Sequence, residues 1–242
     1  SGLEGGVSAF NISNASGNIT IGAESMTGSI DVATLETSAL GAAVISTGTA
    51  GNFSASTVKL AGGFTLDASA HVSGSGSIAV SDLSASGAIS ISVGSGSGDT
   101  TLLDVAGEST FTLDGSNFGG TIEVGTFTAA GNTTVSMGTE GYFSASTIGT
   151  AGSFTLDGAA STTGQTTIQG ITAGGGITVA DMYSLTGDIT GDLTGNVTGD
   201  LTGNVTGDVN GDVTGNLIGN VTGDITGDVT GDLTGNLTGN VT

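Results

Sequence analysis

The chain of 242 residues has no cysteine, no proline and no tryptophan, and it sets a single Lys or Arg and a single His against 22 Asp plus Glu. Each absence removes a class of function. Without cysteine there are no disulfides, no thiol chemistry and no Cys/His zinc site. One basic residue excludes nucleic-acid binding, which needs clustered Lys or Arg against phosphate. The net charge of −21 and the scarcity of His and Lys leave carboxylates as the abundant functional groups, so general-base constellations that need anything else are excluded. No run reaches the roughly 18 apolar residues of a membrane-spanning helix. No charged-then-apolar leader follows Ser1, which reads as a mature or excised segment.

What is present is glycine, at 47 positions, with Thr, Ser, Asn, Val and Ile, and a hydrophobic fraction of 36%. Disordered chains are rich in Pro, Glu, Lys and Gln. Here β-formers and turn-formers dominate, and the expectation is an all-β fold with a buried core.

Internal repetition sets the architecture. The stretch GNFSASTVKLAGGFTLD, Gly51 to Asp67, returns as GYFSASTIGTAGSFTLD, Gly141 to Asp157. A shorter signature, a small residue then Gly then a strand, recurs at Gly17, Gly41, Gly62, Gly87, Gly107, Gly131, Gly152 and Gly174. These spacings describe coils of about 22 residues, paired into 45-residue units. Apolar residues alternate with polar ones, as at Phe64 and Leu66 or at Ile89, Ile91 and Val93, the period of a strand with one buried face. Short strands at that repeat form a β-solenoid over residues 1–184, in which each coil buries its apolar face on its neighbours. A β-sandwich of degenerate hairpins is the alternative.

Residues 185–242 follow a different rule. From Gly187 to Gly239 a Gly stands at every fourth position, followed by Asp or Asn and then Ile, Leu or Val, in a G-[DN]-[ILV]-T unit broken only at Asn210 and Ile218. A four-residue period drifts on a helix of 3.6 residues per turn, and Gly in each unit disfavours helix further. Read as extended chain, the unit places the aliphatic residue and Gly on one face and Thr with Asp or Asn on the other. So long a run must bend at its Gly-Asp and Gly-Asn steps. Two arrangements satisfy this: a narrower solenoid, or a β-fibre of three interlaced chains.

The candidate chemistry follows from composition. Asp188, Asp192, Asp200, Asp208, Asp212, Asp224, Asp228 and Asp232 share the tetrad position with six Asn. Stacked carboxylates repel unless diluted by Asn or neutralised, and Ca²⁺, which takes six to eight oxygen ligands, is the cation such a face would hold. A solvated acidic surface is the alternative. Asp67, Asp114 and Asp157 offer the carboxylates a glycosidase would need. They occupy the same place in the FTLD repeat, which marks turn or cap residues, and no catalytic residue is assigned. His71 and Lys59 replace Ser161 and Gly149 of the matched repeat and are read as outward decorations. Phe53, Phe64, Phe111, Phe143 and Phe154 are expected to form an internal aromatic ladder. N-x-[ST] triplets at Asn11, Asn14, Asn18, Asn52 and Asn132 are candidate glycan acceptors.

The tail octads, such as VTGDVNGD from Val205 to Asp212, resemble the repeats of triple-stranded β-helical phage needles and tail fibres. The upstream stretches GSGDTTLLDV, Gly96 to Val105, and FTLDGSNFGGTIEVG, Phe111 to Gly125, look like strand repeats of bacterial surface-layer and adhesin proteins. Those resemblances imply an exported, self-associating, non-enzymatic structural protein at the cell surface, often calcium-dependent, with copies of itself and a cell-surface glycan as partners. The phage resemblance implies instead a homotrimeric shaft in a virion tail. The calcium nonapeptide G-G-x-G-x-D-x-U-x is not intact anywhere in the chain. Regular Thr rows on a solenoid face also raise ice binding, against which Asn210 and Ile218 interrupt the row.

Overall fold

A computed structural model describes residues 7–15, 17–22, 28–38, 40–49, 51–69, 76–94, 98–138, 141–158, 166–180, 185–194, 197–198, 201–214, 217–218, 221–222, 225–226, 229–230, 233–234 and 237–238. The described residues contain strands and turns and no helix. A long strand and a short one alternate: β1 (Val7–Asn14) with β2 (Ile19–Gly22), β3 (Ile30–Thr37) with β4 (Ala43–Ser46), and β5 (Phe53–Leu60) with β6 (Phe64–Ala68). The series continues with β7 (Ile78–Ala85), β8 (Ile89–Val93), β9 (Thr100–Gly107), β10 (Phe111–Gly115), β11 (Thr121–Ala129) and β12 (Thr133–Met137). It closes with β13 (Tyr142–Thr150), β14 (Phe154–Asp157), β15 (Thr166–Ala173) and β16 (Ile177–Ala180).

Every long strand pairs in parallel with the next long strand, and every short strand with the next short one. Register partners such as Ile30 and Phe53, or Phe64 and Ile89, are equivalent positions in successive coils. Each coil is therefore one turn of a β-solenoid, about 22 residues around. The sandwich is excluded, because its sheets are antiparallel. Parallel stacking at about 4.8 Å per coil lets each layer of side chains rest on the equivalent layer below.

The long strands carry a feature that simple alternation misses. β7 reads buried, exposed, buried, exposed, exposed, buried, half-buried, buried, and β3, β5, β9, β13 and β15 share the same double outward step. The register between neighbours skips that point in each case, as at Ser81 and Leu103. Two successive outward side chains require the strand to turn a corner. Each wide coil therefore has three sides: two from the bent long strand and one from the short strand. One layer of the core holds Ile78, Val80, Leu83, Ala85, Ile89, Ile91 and Val93, all at most 6% exposed.

The five phenylalanines named from sequence are all buried. They do not form one ladder. Phe53 and Phe143 lie in the first column of the long strands, while Phe64, Phe111 and Phe154 lie in the first column of the short ones, interrupted by Ile89 and Thr133. Ring contacts run across the core instead, Phe53 to Phe64 at 6.3 Å and Phe111 to Phe127 at 4.5 Å. A full column of Phe would overfill a layer that the facing sides already crowd, so large and small residues alternate along it.

The signature glycines do not form one unbroken column. The Gly62 N–H bonds to Gly41 O, that of Gly87 to Gly62 O, that of Gly152 to Gly131 O and that of Gly175 to Gly152 O. At the fifth coil the column passes through Ser109, which accepts from the Gly131 N–H, while Gly107 ends β9 two residues earlier. In the last wide coil Gly175 rather than Gly174 holds the place.

Coil size contracts after β15. The next strand, β17 (Leu185–Thr190), pairs with β15 through a register shift between Thr167 and Gly170. The strands that follow are two residues long, from β18 (Leu193–Thr194), β19 (Val197–Thr198), β20 (Leu201–Thr202), β21 (Val205–Thr206) and β22 (Val209–Asn210) to β29 (Leu237–Thr238). They pair four tetrads apart: Leu185 with Leu201, Ile189 with Val205, Leu193 with Val209, Val197 with Val213. Four tetrads make one coil, with one tetrad on each of four sides, and the pairing closes within the single chain.

Glycine makes these corners. Gly203 has φ 143° and Gly207 φ 137°, values L-residues rarely adopt, and a Cβ on either would lie 2.1 Å or 2.3 Å from the carbonyl oxygen of the glycine one coil below. The expectation that Gly shares a face with the aliphatic residue is corrected here. The aliphatic side chains of Ile189, Leu193, Val205, Val209 and Val213 are buried, Thr190, Thr194 and Thr206 face outward, and Gly turns the chain.

Candidate functional site: the corner columns of Asp and Asn

A coil can stack only if the backbone N–H groups at its corners find acceptors. In the wide coils the Asn18 Oδ1 accepts the Ala42 N–H at 2.9 Å, the Asn52 Oδ1 the Ser77 N–H at 2.8 Å and the Asn132 Oδ1 the Ser153 N–H at 3.0 Å. In the narrow coils the Asp188 Oδ1 accepts the Asn204 N–H at 2.9 Å and the Asp192 Oδ1 the Asp208 N–H at 3.1 Å. Each bond reaches one coil along the axis. The position requires a short side chain ending in an sp² oxygen, and Asp and Asn both supply one. That is the physical reason the tetrads exchange Asp and Asn freely.

Of the eight carboxylates read as cation ligands, Asp188, Asp192, Asp208 and Asp212 are described and exposed, and Asp200, Asp224, Asp228 and Asp232 lie outside the described residues. The four-tetrad register distributes the described ones over three columns. Asp192 and Asp208 are successive members of one column, Asp188 has Asn204 above it, and Asp212 belongs to a third. Among the described residues no group of three or more Asp, Glu or His gathers as a metal cluster. Elsewhere Asp82 and Asp104 stand at directly opposed register positions on the outer corner of β7 and β9, and Glu36 opposes Lys59.

Two of the FTLD carboxylates, Asp67 and Asp114, are turn caps, as their repeat position implies. The Asp67 Oδ1 accepts the Ser69 N–H at 3.0 Å, and the Asp114 Oδ1 accepts the Ser116 N–H at 3.1 Å. Asp67, Ser92, Asp114, Ser136 and Asp157 form one outward row on the short strands. Successive acids are thus two coils apart, about 10 Å at the spacing of parallel strands. Lys59 is exposed on β5, and His71 lies outside the described residues. The amides of Asn18, Asn52 and Asn132 belong to the coil-to-coil ladder, and Asn14 donates to Asn18 O at 3.1 Å. These bonds give the N-x-[ST] triplets at Asn14, Asn18, Asn52 and Asn132 a structural reason to contain Asn. Among the described residues no helix is long and apolar enough to cross a membrane.

The fold defines the chain as an all-β repeat protein, a parallel β-solenoid whose wide three-sided coils give way to narrow four-tetrad ones. Compared with family models, curated proteins and solved structures, the chain matches none of them.

Proposed function

We propose that this chain is a non-enzymatic structural segment of an exported bacterial assembly, a filament, surface layer or adhesin stalk, that works as a stiff rod and associates with copies of itself. The observation that carries the reading is where the functional groups go. Asn and Asp side chains are used along the axis as acceptors for the next coil, at Asn18, Asn52, Asn132, Asp188 and Asp192. The interior is filled by Val, Ile, Leu, Ala and Phe from Ile19 to Val213. A polar exterior of Thr, Ser and Asp and a high negative charge keep such a rod solvated and spaced from its neighbours. Calcium belongs to this reading as a cation that neutralises the Asp192 and Asp208 column, where like charges stack one strand spacing apart.

Electron microscopy and sedimentation of the purified chain test the proposal. The expected result is rods one chain thick that lengthen or associate laterally. Globular particles that never associate would overturn it. A homotrimeric phage tail-fibre shaft is the competing outcome and would appear as a three-chain particle at every concentration.

A further inference from the structure

The connection after β10 differs from its counterparts in the other FTLD coils. It runs through Ser116, Asn117, Phe118, Gly119 and Gly120 straight into β11 at Thr121, whereas the counterparts after β6 and β14 span 69–77 and 158–165. Phe118 is folded back into the core at 2% exposure, and its N–H bonds to Gly115 O at 2.8 Å. Its backbone and ring are closely packed: a Cβ on Gly120 of the same connection would meet the Phe118 ring, and one on Gly138 in the next coil would meet Phe118 O at 2.3 Å. A hollow of about 380 Å³ lies on the outer surface beside the start of this connection.

The lining of that hollow is chemically specific. It is lined by Ser69, whose hydroxyl donates to Asp67 Oδ1, by Ser92, Ser116, Asn117 and Asp114, and by Val93 as an apolar patch. The Asp114 carboxylate is oriented by the Ser116 N–H on its Oδ1, which leaves its other oxygen for a ligand. Acceptor-only, donor-and-acceptor and amide groups around a small apolar patch complement a molecule with adjacent hydroxyls on a carbon ring. The volume lies in the range of small-ligand sites. With 22 acidic residues and one Lys or Arg in the chain, an anionic sugar is repelled and a neutral one is not.

We infer that this hollow is a binding site for a neutral saccharide unit, with Asp114 accepting from two adjacent hydroxyls and Asn117 and Ser116 fixing the orientation. Such a site goes beyond the structural role proposed above and does not depend on how copies of the chain assemble.

Saturation-transfer difference NMR on the full chain tests it, with glucose, galactose, mannose and N-acetylglucosamine as probes and glucuronic acid as the anionic control. At least one neutral sugar is expected to give a saturable signal, and glucuronic acid none. Asp114→Asn keeps the acceptor for Ser116 and removes the charge, so affinity should fall about tenfold, the difference between charged and neutral hydrogen bonds. Asn117→Ala should weaken binding without touching the Asp114 turn. Asp157→Asn, at the same register position two coils further on, should leave it unchanged. Any of three results overturns the proposal: no neutral sugar binds at tens of millimolar, Asp114→Asn and Asp157→Asn behave alike, or only calcium chloride gives saturable binding that Asp114→Asn removes.

Discussion

The wide and narrow coils solve one problem with different means. A wide coil encloses about seven inward side chains, and its mass of aliphatic and aromatic packing holds the layers in register. A narrow coil has four tetrads, and the described ones at Ile189, Leu193, Val205, Val209 and Val213 each bury a single aliphatic residue, so less apolar area is buried per tetrad side, while the number of corners rises from three to four. The wide region is therefore specified by its core, and the narrow region by its corners: the positive φ of Gly and the acceptor of the Asp or Asn that follows. A substitution should be damaging for different reasons in the two.

The largest effect belongs to the wide core. Phe64 is fully buried, and Phe64→Asp loses about 3 kcal/mol of burial and places an unpaired charge inside. Lys59→Ser, on the exposed side of the neighbouring strand, should fall within about 0.5 kcal/mol of the parent. Thermal melts that coincide for the two variants would break the assignment of inside and outside.

Next come the narrow corners. Gly203→Ala introduces a Cβ 2.1 Å from Gly187 O at φ 143° and should cost roughly 1–3 kcal/mol of backbone strain, more where the neighbours cannot shift. Gly119→Ala, where the added carbon meets nothing within 4 Å, should be nearly neutral. Hydrogen exchange localises the first effect to the narrow coils, and uniform exchange in both variants would contradict it.

A smaller effect tests the role of the carboxylates. Asp192→Ala removes the acceptor for the Asp208 N–H and should destabilise by about 1 kcal/mol, while Asp192→Asn keeps it and should be neutral or slightly stabilising as one charge of the column disappears. If calcium neutralises that column, it should raise the melting temperature of the parent more than sodium chloride of equal ionic strength, and raise that of Asp192→Asn less. Identical melts in calcium, sodium and chelator would leave the Asp face a solvated surface.

The smallest expected change is a gain. Thr133 sits in the short-strand column between Phe111 and Phe154, and its Oγ1 is buried without a hydrogen-bond partner. Thr133→Val replaces that hydroxyl by a methyl of the same shape and should stabilise by about 1 kcal/mol. A loss of stability would show that the hydroxyl is satisfied in solution.

How far these features are legible in the sequence follows from the physics of each. The coil length is readable because stacking demands a nearly constant period, and the repeat from Gly51 to Asp67 and Gly141 to Asp157 preserves it over four coils. The corner inside the long strands is not, since Ser81 and Asp82 or Leu103 and Asp104 interrupt the alternation by one residue, which passes for noise in a single strand. It becomes a signal only when the rows are aligned by register. A single Phe ladder fails for the same reason, because Phe53 and Phe64 sit on different sides of one coil. In the tail the four-residue period is plain. The number of tetrads per coil is not, because every tetrad resembles the next and only three-dimensional closure selects four. The role of Asp and Asn is half legible: their exchange across the tetrads points to charge dilution, while the structure adds a shared acceptor as the reason both fit.

The central claim is that the narrow coils close within one chain at a step of four tetrads. The chain has no native cysteine, so paired substitutions report on it cleanly. Thr190 and Thr206 are register partners, and parallel neighbours about 4.8 Å apart lie within the Cα range a disulfide spans. Thr190→Cys with Thr206→Cys should oxidise to an intrachain disulfide in a species of monomer mass, and Thr190→Cys with Thr198→Cys should not. Ready oxidation of the second pair, or disulfides formed only between chains, would contradict the four-tetrad coil.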